Sequence, residues 1–223
     1  MFIYSNLAIS LDGKIAPANR SFCPLGTPLD RKRMVELRKN CDALLIGAST
    51  FRPYRKASRA DKRAPAPINI VVSRMLEGIS PNWPFFKAKD LKRILFVQES
   101  PPKARLAKFE KTSEIIVLKK TGSIAKQILK HLKARGIQRL LIEGGGEIMW
   151  HFASQNLINE YHVTLTPKIV GGKTSPTLVD GIGFKPKDIL GLKLLRSEVL
   201  GDEIYLTFTS YTAGPGGTRD KQP

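Results

Sequence analysis

The chain has 223 residues, 42% hydrophobic and 25% charged, with 37 Lys and Arg against 19 Asp and Glu and a formal net charge of +18. That composition excludes a disordered or fibrous chain and fits one globular domain with a substantial core. No apolar run approaches the ~18 residues of a spanning helix, two cysteines do not make a disulfide framework, and three isolated histidines lack metal-ligand spacing. The expectation is a cytoplasmic protein with no resident metal and no membrane contact. Charge of this size favours nucleic acid, an acidic membrane surface or an anionic small molecule. The basic residues are spread along the chain, however, with a dense patch only at 52–63, so a generally basic surface is the simpler reading.

Residues 2–9 alternate imperfectly and read as a short central strand, turned at 10–15 by the hairpin-type pair Asp12-Gly13. Lys14 places a cation just past that strand end, where it can meet a phosphate, donate a proton or simply face solvent. Residues 29–38 have helical spacing, with Leu29, Arg33, Met34 and Leu37 near one stripe and Thr27 or Asp30 available as cap. The all-apolar run at 41–47 reads as a parallel strand covered on both faces, and its carboxyl end carries Ser49 and Thr50. Residues 51–67 are basic and contain proline, which predicts a mobile loop. The strand at 68–74 ends in Ser73 and Arg74, and an arginine there suits a phosphate because it binds bidentately. Residues 94–97 and 114–118 read as strands and 123–133 as a helix, giving the repeated order of an α/β domain with a mostly parallel sheet.

The centre of the sequence is residues 139–150. A short apolar run ends in Glu143 and three glycines, Gly144, Gly145 and Gly146, and an amphipathic pattern follows at once. Glycines admit φ > 0 and close approach of a ligand, and the free N–H groups of a helix start favour an anion. A plain strand-to-helix connection is the other reading, and the stretch is not the G-x-G-x-x-G fingerprint. Residues 147–153 predict a helix; 160–167 and 201–209 alternate as half-exposed antiparallel strands would. The glycine pair at 171–172 reads as a simple loop. One domain over 1–212 and a disordered tail at 213–223 complete the expectation.

Taken together, Ser10-Leu11-Asp12-Gly13-Lys14-Ile15-Ala16, residues 42–50, Glu143-Gly144-Gly145-Gly146 and the stretch from Ile158 to Pro167 followed by Gly171-Gly172 resemble the riboflavin-pathway pyrimidine reductases. That family includes the C-terminal domain of the bifunctional deaminase/reductase and has a dihydrofolate-reductase-like fold. The resemblance spans residues 2–210. It implies NADPH-dependent reduction of a ribosylaminopyrimidinone 5′-phosphate to its ribitylamino product, as in the 5-amino-6-(5-phosphoribosylamino)uracil reductases, and a homodimer. By position it implies that Gly144, Gly145 and Gly146 wrap the pyrophosphate, Thr50 approaches the nicotinamide, and Ser73 and Arg74 take the adenosine end with its 2′-phosphate. Asn6 and Ser10 would face the substrate, Lys14 would donate a proton or hold the phosphate, and Glu143 would lie near the transferring hydride. Where relatives carry an acidic pair and proline shortly after the Thr50 position, this chain reads Phe51-Arg52-Pro53-Tyr54-Arg55-Lys56. A more highly phosphorylated anion, or another pteridine, pyrimidine or dihydrofolate-like substrate, therefore stays open. So does a nucleic-acid-binding protein on the same scaffold, although no nucleic-acid motif is present. The deaminase zinc signature is also lacking.

Overall fold

Nine strands form one sheet in a computed structural model that describes residues 1–61, 66–98 and 101–211. The expected disordered tail at 213–223, with Lys62 and Arg63 of the basic patch, lies outside the described residues. In chain order the elements are β1 (Phe2–Ile9), α1 (Pro28–Lys39), β2 (Ala43–Gly47), α2 (Ala48–Tyr54), β3 (Ile68–Ser73), α3 (Pro84–Lys87), β4 (Arg93–Val97) and α4 (Lys103–Glu110). There follow β5 (Glu114–Val117), α5 (Ile124–Lys133), β6 (Arg139–Ile142), α6 (Gly146–Ala153), β7 (Glu160–Leu165), a 3-10 turn at Pro186–Asp188, β8 (Leu192–Leu200) and β9 (Glu203–Ser210).

The sheet order is β5-β4-β3-β2-β6-β1-β7-β9-β8. Neighbours from β5 to β7 pair in parallel, whereas β9 pairs antiparallel with both β7 and β8. Strands β2 and β4 are buried throughout, as continuous Val/Ile/Leu runs between two layers of helices must be. On one face α5 and α6 pack Ile128, Leu132, Met149 and Phe152 against Ile3, Leu45, Ile70 and Ile142. On the other, Phe51, Phe85, Phe86 and Phe109 pack against Leu44, Val71 and Leu95. Because parallel strands share a direction, the carboxyl ends of β3, β2, β6, β1 and β7 fall in sequence along one edge.

Several expectations are corrected. The stretch after Thr50 does not begin as a loop: it is helical through Tyr54, with Phe51 fully buried and its ring 4.7 Å from Phe85 and 5.4 Å from Trp83. An aromatic partner set more than thirty residues downstream, invisible to local pattern, overrides the basic, proline-containing composition there. Only part of the expected α1 stripe faces inward: Arg33, Met34 and Leu37 are half-buried, with Leu37 packed on the phenylalanine cluster, whereas Leu29 is exposed and Arg38 is the buried residue. Strand β7 is antiparallel only to β9 and runs parallel to β1. Strand β8 and the short helices α3 and α4 had no counterpart in the sequence reading.

Candidate active site

The glycine loop lies directly against the start of α2. Gly47 N donates to Gly144 O at 2.8 Å, and Glu143 N donates to Leu45 O at 3.0 Å, so the ends of β2 and β6 are stitched together. The three glycines serve three different needs. Gly144 has φ +98°, a conformation that L side chains avoid. A Cβ on Gly145 would stand 3.1 Å from Thr50 Oγ1 and 3.3 Å from Ser49 Oγ, so its absence leaves those hydroxyls clear. On Gly146 a Cβ would meet Asp180 Oδ2 at 2.4 Å and Thr177 O at 2.6 Å. Gly146 is therefore covered by the chain's own 177–180 segment, which places a carboxylate beside the first residue of α6, where the helix start favours negative charge.

The other anticipated residues follow the same edge. Arg74 is exposed just past β3, one strand from Thr50. Ser73 is buried, and its hydroxyl accepts from Leu76 N at 2.9 Å, so it builds the turn that presents Arg74. Ser10 is likewise occupied: it donates to Asp12 Oδ1 at 2.6 Å and accepts from Lys14 N at 2.9 Å. Its hydroxyl shapes the turn after β1. Asp12 also accepts from Val170 N and Gly171 N, which clamps the 170–172 loop to that turn. The Ser10 hydrogen bond and then the Val170 amide hold its carboxyl down at about 2. Lys14 sits within the clamp and donates from Nζ to Ser175 O at 3.3 Å. Asn6 is 8% exposed on the face beneath α1, and its amide has no hydrogen-bond partner among the described residues.

Glu143 is fixed by a residue that sequence reasoning missed. Arg38 Nε and Nη2 donate to its two carboxylate oxygens at 2.7 and 2.6 Å, with side chains 7% and 9% exposed. Burial alone would pull the guanidinium down, but the field and hydrogen bonds of Glu143 outweigh it and raise the Arg38 pKa above its ordinary value. A second missed residue is Asp30, whose Oδ1 accepts from Thr164 Oγ1 at 2.7 Å. Farther along the same surface, Arg33 donates to Thr207, which meets His162 Nδ1, and Glu203 accepts from Thr27 and Tyr205. Thr27, not Asp30, caps α1. A hollow of about 490 Å³ opens at the opposite edge, among Ile68, Arg93, Thr112 and Arg135. There Arg93 is already satisfied by the carbonyls of Phe85, Leu91 and Thr112, so that hollow lacks convergent free groups.

The family pattern of the RibD C-terminal domain matches residues 1–206. Over 216 residues the chain is 33% identical to the 2,5-diamino-6-ribosylamino-4(3H)-pyrimidinone 5′-phosphate reductase of Methanothermobacter thermautotrophicus, covering 93% of this chain and 97% of that protein. A protein of the same name from Archaeoglobus fulgidus is 26% identical over 197 residues, 83% of this chain and 89% of its own. Among solved structures, a pyrimidine reductase-like protein from Corynebacterium diphtheriae superposes with a TM-score of 0.77 at 20% identity, over 94% of this chain and 91% of that one. Dihydrofolate reductase from Enterococcus faecalis, complexed with NADP(H), gives 0.52 at 15% identity, over 94% and 96%. These two are likenesses of fold, which is α/β and dihydrofolate-reductase-like. With the match running from β1 into β9 and identity extending across nearly the whole of a relative, the chain belongs to the RibD C-terminal domain family.

Proposed function

We propose that this chain is an NADPH-dependent reductase of riboflavin biosynthesis, acting on 2,5-diamino-6-ribosylamino-4(3H)-pyrimidinone 5′-phosphate and reducing its ribosylamino group to ribitylamino. The reading is carried by the near end-to-end identity with reductases of that name. The strand-end line from Arg74 through Ser49, Thr50, Gly144 and Gly145 to Asn6 supports it, because it offers a cation, two hydroxyls and bare backbone where a dinucleotide phosphate would be held. When bound, NADPH supplies the hydride. The chain's task is then to orient and to manage charge: Arg74 for the 2′-phosphate, Gly144 and Gly145 against the pyrophosphate, Thr50 at the nicotinamide side. Asn6 and Lys14 face the substrate, and Glu143, paired with Arg38, is assigned beside the reacting carbon.

The same proposal includes cytoplasmic location and paired subunits. No helix among the described residues is long and apolar enough to cross a membrane. The edge strand β8 leaves Leu194, Leu195, Val199 and Leu200 exposed, and a second copy is the occupant this unpaired apolar edge suits. A reading with another anionic substrate is favoured by the basic residues after Thr50. Two of them are engaged locally: Arg52 Nε donates to Glu77 O, and Arg55 stacks 5.2 Å from the Trp83 ring. These contacts support a packing role for that stretch.

Calorimetric titration with NADPH and, separately, NADH tests the cofactor. Tighter binding of NADPH, weakened by Arg74→Ala, is the expected result, and substrate-dependent NADPH oxidation then tests the reaction. No binding of either nucleotide would overturn the reading.

A further inference from the structure

The reduction consumes one hydride and one proton. The C1′–O4′ bond of the sugar breaks, a C1′–H bond forms with hydride, and O4′ must gain a proton. We propose that Asp30 is the acid that delivers that proton, an inference that rests on the reductase reading.

Three observations carry it. First, the carboxyl is built into place from both sides. Thr164, itself wholly buried near the end of β7, donates to Oδ1, while Oδ2 lies only 2.1 Å from where a Cβ on Gly26 would stand. Any residue but glycine at 26 would displace it. Second, Asp30 lies over the same sheet surface as Asn6 and Glu143. Tyr4 pairs with Leu141, so Asn6 and Glu143, each two residues on, share one face, and Ala8 beside Thr164 continues it. The buried Asn6 amide, without a hydrogen-bond partner among the described residues, belongs to this surface.

Third, the two carboxyls are treated in opposite ways. Glu143 has a bidentate arginine, whereas Asp30 forms no ion pair among the described residues. Three charged groups face it: Arg33 from its own helix, which is turned to Thr207 and the Tyr205 ring, Glu203 from β9, and Glu143 from the end of β6. Burial first, and then the two glutamates, push the Asp30 pKa up, against the Thr164 hydrogen bond and Arg33. Of the two carboxyls on this surface, Glu143 is committed to its arginine, and Asp30 is the one whose surroundings favour the protonated form, which suits it to donate. Lys14, the cation suggested by the sequence for this task, is held by the Ser175 carbonyl and has two further N–H donors for the substrate phosphate. After each turnover the Asp30 carboxylate is reprotonated from solvent.

The test uses the full chain, NADPH and 2,5-diamino-6-ribosylamino-4(3H)-pyrimidinone 5′-phosphate, with calorimetry for NADPH binding and single-turnover NADPH oxidation from about pH 5 to 9. Wild type should lose rate as pH rises through the Asp30 ionisation. Asp30→Asn should bind NADPH like wild type, oxidise it roughly a hundredfold or more slowly, and lose that limb; Asp30→Glu should restore part of the rate. Thr164→Val, which removes a hydrogen bond favouring the carboxylate, should move the limb to higher pH, and this readout does not depend on how Asp30→Asn folds. An Asp30→Asn rate close to wild type, or a limb unmoved by Thr164→Val, would overturn the assignment of the acid while leaving the reductase reading intact. Wild-type protein that neither binds nor oxidises NADPH would overturn both.

Discussion

Helices α1 and α5 lie on opposite faces of one sheet and are held there in opposite ways. Helix α5, capped by Ser123, turns Ala125, Ile128, Leu129 and Leu132 into the core, an amphipathic stripe whose attachment is hydrophobic burial. Helix α1 buries Arg38 and meets the sheet through Arg38 on Glu143, Asp30 on Thr164 and Arg33 on Thr207. A close-packed apolar face has no group left over for a ligand. A face joined by polar pairs keeps charges and donors in fixed places, and it is there that the unpartnered Asn6 is found. Apolar clusters cover both faces of the sheet, and the polar pairs gather where one of those faces lies under α1.

The strongest way to break this contrast is Arg38→Ala. It strands a buried carboxylate and should cost about 3–5 kcal/mol in urea unfolding, whereas Arg38→Met combined with Glu143→Leu should recover most of that stability and still lack turnover. A loss below about 1 kcal/mol for the single change would mean that the polar face is not held by this pair. Next in size, Ile128→Ala on α5 should cost about 2–4 kcal/mol, with NADPH oxidation per folded molecule unchanged well below the melting temperature. A selective loss of rate there would erase the division between the two helices. Gly145→Val crowds the Ser49 and Thr50 hydroxyls at 3.1–3.3 Å, so NADPH affinity measured by calorimetry should fall roughly tenfold, about 1.4 kcal/mol.

The smallest effect concerns Asp30 itself. Its native pKa lies above the ordinary 3.8, so the native state holds the proton more tightly, and stability declines as pH rises from the unfolded value through the raised one. Asp30→Asn should therefore melt higher than wild type at neutral pH, with the gain vanishing below about pH 4. Asp12 has the reverse sign: held down at about 2, it contributes above its ordinary value of 3.8, and that contribution is lost as pH falls toward 2.

The line of strand ends was legible in the sequence because each all-apolar run stops at polar residues, and parallel pairing then brings Arg74, Thr50 and Glu143 to one edge. The polar surface under α1 was not. Asp30 and Thr164 are 134 residues apart and Arg38 and Glu143 are 105 apart, so no local pattern joins them, and Asp30 reads only as a possible cap. The α1 stripe was right only in part: Leu29 counts as apolar in a periodicity yet faces solvent, while Arg38, outside the stripe, is the residue buried against the sheet. Serines at strand ends carry a task that the sequence did not show. Ser10 and Ser73 have turn partners within four residues, so each hydroxyl holds its own turn.

Strand β1 is the first element of the chain and lies deep in the sheet, hydrogen-bonded on one side to β6, from Phe2 opposite Arg139, and on the other to β7, from Tyr4 opposite Glu160. At ribosomal rates of about 5–20 residues per second, its partners trail it by on the order of ten seconds. During that interval Phe2–Ile9 has no lateral partner, while β2, β3, β4 and β5 can already assemble with one another. Completion of the sheet is thus a late event of high contact order, in which β6 and the waiting amino-terminal strand enter together. The pairing of Arg38 on α1 with Glu143 at the end of β6 exists only after that step, so nucleotide binding should report the last stage of folding and not an early one.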